Sequence, residues 1–319
     1  MLRALFIAAT LVVSGSQAAL AQSWPQGNIT FLVPYAPGGS ADIVARLVAQ
    51  KMQEKLGKPV VVDNRPGASE MIATETLARS QPDGLTMAIL SNAIAINETL
   101  VQQKRVDVAK DLAPVTRVIE LPFALMVHPS VPARNVQELV AYARANPGKL
   151  NYGHLGPGSP HFFKMEWFKR SAGIDILAVP YKGAAPAYAA LVGGEVQVIA
   201  SGLGAATPFL EAKQAIALAA FSEKRPASRP DLPTIAEAGF KDFNLRSWMG
   251  IFVSSGTPED IRSRIEAEVN AAMADPELIA RLQKLGLDPS PLGGEKFAAF
   301  VGEEIKAWED IVKAAAPKN

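Results

Sequence analysis

Two glycine-rich turns hold the residues best placed to do chemistry. The first, in ITFLVPYAPGGSADIVARLV from Ile29, runs an apolar strand into Gly38, Gly39 and Ser40 and then straight into a helical pattern. Gly38 and Gly39 let the backbone turn tightly and approach a ligand closely. Ser40 is placed as N-cap of a helix beginning at Ala41, and Asp42 falls in its first turn, where a negative side chain is favoured. Such a turn leaves unpaired N–H groups pointing outward, an arrangement suited to an anion. The same features also fit a capped helix whose glycines serve chain geometry alone. The turn matches neither the dinucleotide fingerprint nor the phosphate loop ending in Gly-Lys-Ser or Gly-Lys-Thr, so a nucleotide is not expected. Asp42 weighs against a highly charged phosphate while tolerating a carboxylate.

A second turn repeats the first. NYGHLGPGSPHFF follows a strand with Gly156 and Gly158, places Ser159 as N-cap and puts Pro160 at the favoured first helical position. Two such ends facing across a cleft would grip one small anion between them. Other polar groups at expected strand ends join the candidate set: Tyr35 and Ala36 ahead of the first turn, Ser91 and Asn92 after LTMAIL, Tyr181, Lys182 and Gly183 after ILAVP, and Ser201 after VQVIA. Lys182 offers a positive charge for a carboxylate, although a lone lysine is more often a solvated surface residue. His161, in a first helical turn, either touches the anion or bonds within its own lobe.

Enzyme chemistry finds little footing. The three histidines are His128, His154 and His161, with no His-Glu-x-x-His motif and no Gly-x-Ser-x-Gly elbow. Ser40 or Ser159 as a nucleophile would still need a positioned base. An exported hydrolase or lyase using Ser40 or His161 therefore stands as an alternative, beside a ligand sensor reporting to a signalling partner. No metal spacing is recognisable around Asp42 and Asp63, and no cofactor is expected. The cluster HFFKMEWFK places Phe162 and Met165 on one helical face, as core, and Trp167 as packing; Trp248 is a candidate for the region where the chain crosses between lobes.

These turns need elements to hold them. Strand and helix signals alternate: strand ITFLV, a helix 41–56 with Val44, Leu47, Val48 and Met52 on one face, strand PVVVDN, a helix near 70–79 and strand LTMAIL. A second series after Pro122 reads strand FALMVHP, helix 135–145, strand NYG, helix 160–171, strand ILAVPY, helix 185–192, strand VQVIAS, a helix near 207–213 and strand AIALAAF. Pro226, Pro230 and Pro233 mark an irregular surface stretch. After WMGIFVSSGTP come helices at 258–274, 275–284 and 293–315. The alternation predicts α/β lobes with mixed, mostly parallel sheets flanked by helices, their ligands beyond the carboxyl ends of the strands. Residues 22–122 with 246–319 are expected to form one lobe and 123–245 the other.

The N-terminal MLRALFIAATLVVSGSQAALA has the pattern of a signal peptide over 1–21, cleaved after Ala21. Removing it takes away Arg3 and leaves 31 basic residues against 31 acidic ones, so the formal net charge is zero. No basic tract interleaved with aromatics argues for nucleic acid. The chain contains no cysteine, which excludes disulfides, a thiol nucleophile and thiolate metal sites.

Taken in order, FLVPYAPGGSADIVARLVAQKMQEKLGKPVVVDNRPGAS, QPDG, NYGHLGPGSPH, VPYKGAAPAYAALVGGEVQ, RPDLPTIAEAGF and WMGIFVSSGTP resemble the Bug family, periplasmic solute receptors of tripartite tricarboxylate transporters. The resemblance spans essentially the whole mature chain. It implies a two-lobed, class II-like periplasmic binding protein fold, monomeric, closing around a small organic carboxylate for inner-membrane permease subunits. It also implies that the carboxylate is held at the turn Tyr35 to Asp42, with the facing loop at Gly153 to Ser159. One departure stands out: where the family continues NRPGA with further small residues and Ile-Gly, this chain has NRPGASEMIAT, with Ser69, Glu70, Met71 and Ala73. The resemblance does not choose among acidic amino acids, citrate-like acids and aromatic acids.

Overall fold

The computed structural model describes residues 24–101, 104–222, 224–226, 228–241 and 247–315. The expected leader and its cleavage after Ala21 lie outside the described residues. In chain order the elements begin β1 (Ile29–Val33), α1 (Ser40–Leu56), β2 (Val60–Asn64), a 3-10 turn (Ala68–Glu70), α2 (Met71–Ala78), β3 (Thr86–Ser91), α3 (Ala93–Leu100), α4 (Val108–Asp111) and β4 (Leu112–Glu120). They continue with β5 (Phe123–Val127), α5 (Val136–Ala145), β6 (Asn151–His154), α6 (Pro160–Ala172), β7 (Leu177–Pro180), α7 (Ala184–Val192), β8 (Val198–Gly202), α8 (Leu203–Glu211) and β9 (Ile216–Phe221). The last are β10 (Trp248–Ser254), α9 (Glu259–Met273), α10 (Pro276–Lys284), β11 (Asp288–Gly293) and α11 (Gly294–Ala315).

Two sheets organise them. The first lobe carries the order β11-β4-β10-β3-β1-β2 and the second β7-β6-β8-β5-β9. β1 runs parallel to β2 and β3, while β10 is antiparallel to β3 and β4. In the second sheet β6 is parallel to β7 and β8, and β5 is antiparallel to β8 and β9. Both sheets are thus mixed, and the parallel pairs are those whose crossovers are helices that cover a face.

Local chemistry explains the main supports. α1 buries Val44, Leu47, Val48 and Met52 and ends at Gly57, whose left-handed φ of 64° suits glycine and whose N–H donates to Gln53 O. α6 starts as expected: Ser159 Oγ accepts from Phe162 N, and Pro160 fills the first helical position. β5 (FALMV) is buried along its whole length, as befits a strand with partners on both sides. The two crossings between lobes lie together, Leu121 N donating to Ser247 O at 2.8 Å and Leu203 N to Pro122 O at 2.9 Å.

One local expectation is corrected. Ser40 is not the N-cap of α1 but its first residue; Gly39 occupies the cap, with no side-chain cap bond. Asp42 reaches back instead, its Oδ2 accepting from Gly38 N at 3.0 Å. Asp42, in the first turn of the helix, thus binds an amide that precedes the cap, which a serine cap bonding forward to the second or third helical amide would not reach.

Candidate ligand site between the lobes

The cavity between the lobes, about 430 Å³ counting the space open to solvent, is walled by the starts of five helices. Gly39, Ser40 and Ala41 come from the start of α1, Asn92 from that of α3, Pro160 and His161 from α6, Ala184 from α7, and Gly202 precedes α8. Each helix follows a strand directly, so the parallel strands deliver all five ends to the same side of their sheets. A helix start carries about half a positive charge on amides that lack a carbonyl four residues back. Among the described residues lining the cavity none bears a full charge. An anion here would meet converging dipoles in place of a cationic side chain.

Three buried polar atoms on the cavity wall have no hydrogen-bond partner among the described residues: His161 Nδ1 and Ser201 Oγ from the second lobe and Ser247 Oγ at the crossing. Burying such a group without a partner costs about 1–3 kcal/mol, so each has a hydrogen-bonding capacity left to satisfy. Burial, with the neighbouring Lys164 and His154 acting the same way, pushes the His161 pKa down to about 3. The imidazole is therefore neutral at ordinary pH and has little capacity to take a proton. It stacks edge-on against Phe123, with ring centroids 4.8 Å apart. Leu121, Phe123, Leu155, Trp248 and Met249 make the rest of the wall apolar.

The lobes touch around this cavity. Ala36 N donates to Lys182 O at 3.3 Å, and Gly158 N donates to Ser69 Oγ at 3.2 Å. A Cβ on Gly158 would lie 2.0 Å from Asn97 Oδ1, so only glycine permits this approach.

Seven residues expected from the sequence therefore line the cavity: Tyr35, Gly39, Ser40, Ser91, Asn92, His161 and Ser201. Gly156, Tyr181 and Lys182 line a second, more open space alongside, shared with Tyr35 and Glu70. Ala36, Gly38, Asp42, Gly158, Ser159 and Gly183 line neither. Ala36, Gly158 and Gly183 make lobe-to-lobe contacts, and Ser159 caps α6. Asp42 faces Arg46 Nε and Asn64 Nδ2, each at 3.0 Å. Burial alone would raise its pKa, but Arg46, the Gly38 amide and Asn64 outweigh it and hold the carboxyl below the usual range.

Sequence reasoning passed over Leu121, Phe123, Leu155, Ser247 and Met249, and met Glu70 only as a departure from the family's run that would alter the pocket rim or a partner surface. Leu121 to Phe123 and Ser247 to Met249 are the two crossings, where the sequence signal is merely an apolar strand end.

A model described as tripartite tricarboxylate transporter family receptor matches residues 44–316. Protein BugT of Bordetella pertussis is 30% identical over 300 residues, covering 93% of this chain and 92% of its own. A solved R. palustris protein with adipate is 35% identical with a TM-score of 0.88, over 92% of this chain and 98% of its own. MatC of Rhodopseudomonas palustris with bound malate is 31% identical with a TM-score of 0.84, over 91% of this chain and 100% of its own.

Proposed function

Because the chain belongs to the tripartite tricarboxylate transporter receptor family, we propose that its interlobe cavity captures one small organic carboxylate from the periplasm and presents it to the membrane permease of such a transporter. The protein is a periplasmic solute-binding receptor with two mixed-sheet α/β lobes. The observation that carries the proposal is the convergence of five helix starts and three partnerless polar atoms on one uncharged, largely apolar cavity. Adipate and malate, found with two relatives, are small organic carboxylates.

Capture proceeds by closure. In the open form the α1 turn meets the carboxylate first, and the second lobe then brings His161 and Ser201 over it. Water leaves, and hydrogen bonds to the charged group strengthen as the dielectric falls. Contacts such as Ala36 to Lys182 form only when the lobes meet, so ligand binding and closure share one free energy. The receptor acts as a monomer, and its work is holding rather than turnover: Ser40 shares the cavity with His161, but an imidazole with a pKa of about 3 cannot serve as general base for it near neutrality.

The test is a melting series on mature protein stripped of ligand by unfolding and refolding, against mono-, di- and tricarboxylates, aromatic acids and acidic amino acids. A saturable rise in Tm with carboxylates is the expected result. No shift with any of them overturns the proposal.

A further inference from the structure

Behind the wall formed by Tyr35 and Ser91 lies Glu70, with 0% of its surface exposed. Its Oε1 accepts from Tyr35 Oη at 2.7 Å and from Ser91 Oγ, and its Oε2 accepts from Ser91 N at 2.9 Å. None of these donors is a cation. Three donors on two oxygens is the pattern of an ionised carboxylate. Burial raises the Glu70 pKa, and the Ser91 and Tyr35 donors oppose the rise.

A hydroxyl has one hydrogen. Tyr35 and Ser91 both direct theirs at Glu70, and Ser91 Oγ in turn accepts from Ala93 N at 3.1 Å. Toward the cavity these two oxygens can offer lone pairs only. The opposite situation holds at His161, Ser201 and Ser247, whose buried polar atoms are uncommitted. The cavity therefore has one wall suited to an anion and another suited to a hydrogen-bond donor, with the buried Glu70 carboxyl group behind the second.

The backbone holds Glu70 there against its preference. Ala68, Ser69 and Glu70 have φ of 46°, 51° and 80°, a left-handed run that residues other than glycine seldom adopt. Two bonds fix it: Asn97 Nδ2 to Ser69 O at 2.7 Å and Gly158 N to Ser69 Oγ at 3.2 Å.

We infer that Glu70 selects the ligand class: a single carboxylate whose other polar group is a hydrogen-bond donor (an amide, hydroxyl or ammonium), with a second carboxylate rejected at the Tyr35–Ser91 wall. The inference rests on the reading of the cavity as a carboxylate site.

Matched pairs of equal shape test it by calorimetric titration at about pH 7.5: succinate with succinamate, glutarate with glutaramate, adipate with adipamate, and terephthalate with 4-carbamoylbenzoate. For the chain length that fits, the half-amide binds the native protein at least about ten-fold more tightly than the diacid, because a like charge would face buried Glu70. Glu70→Gln removes that charge at nearly constant volume and brings the two affinities to within about two-fold, chiefly by improving the diacid. A native protein that binds the diacid equally well or better overturns the role of Glu70 and leaves the carboxylate site standing, and this arm decides the matter even if the variant does not fold. A preference that persists unchanged in folded Glu70→Gln also overturns it. Binding of no member of any pair removes the carboxylate reading and this inference together.

Discussion

Replacing Gly183 by alanine separates closure from folding. Its φ of 172° and ψ of 169° are extended backbone open to any residue, so the substitution adds a methyl without backbone strain. That methyl would lie 2.9 Å from both the N and the Cβ of Ala36 and 3.3 Å from its Cα. Ala36 belongs to the first lobe and Gly183 to the second, so the clash exists only when the lobes meet. It is with backbone, which cannot rotate aside, and relieving it also pulls Ala36 N from Lys182 O, 3.3 Å away. Inserting one methyl into a packed contact costs about 1–3 kcal/mol. At about 1.4 kcal/mol per ten-fold, affinity for the carboxylate giving the largest melting shift falls roughly 5- to 140-fold. The Tm of the ligand-free protein changes little, since lobes apart leave the methyl in solvent. Titration calorimetry reads the first quantity and a thermal melt the second. A folded Gly183→Ala protein that binds within about two-fold of the native one would show that capture does not bring Ala36 and Gly183 together, and the closure argument would fail.

Two further substitutions probe the buried polar groups. Lys164 is fully buried, its ammonium 5.0 Å from the centroid of the Phe123 ring; burial lowers its pKa to about 7, against the opposing pull of Glu304. Folded protein therefore binds fewer protons than unfolded protein between about pH 7 and pH 10, and native stability rises with pH there relative to Lys164→Met, by about 1.4 kcal/mol per unit. Urea titrations of both proteins across that range check it, and a pH-independent difference refutes it. Ser247→Ala removes a buried hydroxyl with no partner among the described residues. Ligand-free stability rises by up to about 1 kcal/mol while ligand affinity falls roughly three- to ten-fold, and melts with titrations would expose the reasoning as wrong if affinity were unchanged.

The starts of α1 and α6 were legible because their signals are local. Val44, Leu47, Val48 and Met52 on one face, and Ser159 followed by Pro160, each act within a turn or two of chain. Distant partners were not legible. β4 escaped notice because Pro114 sits inside LAPVTRVIE; it pairs with Phe252 beside a register shift, where a missing N–H is tolerated. β11, with Pro289 and Pro291, survives as the edge of the first sheet, again with a shift in register. α8 was expected near 207–213 and runs Leu203–Glu211, because it follows β8 without turn residues and carries Pro208 inside. The direction of β10, and with it the arrival of Trp248 and Met249 at the cavity, depends on which strands it meets. Glu70 was visible as a residue, but its burial behind Tyr35 and Ser91 follows from three left-handed residues that no local pattern announces.

The convergence of helix starts on a cavity without charged lining also bears on where such a receptor can work. Dissolved ions screen fields between exposed charges over about 8–10 Å in ordinary media, but they screen little between amide dipoles and a ligand held at contact distance by closed lobes. A chain whose mature charges balance to zero also exerts little long-range attraction on an approaching anion, so salt has little steering to abolish. Both the hold on the ligand and the rate of finding it are thereby uncoupled from the ionic strength outside the cell. A receptor built on dipoles is therefore expected to hold its ligand with little change as the salt concentration around it rises.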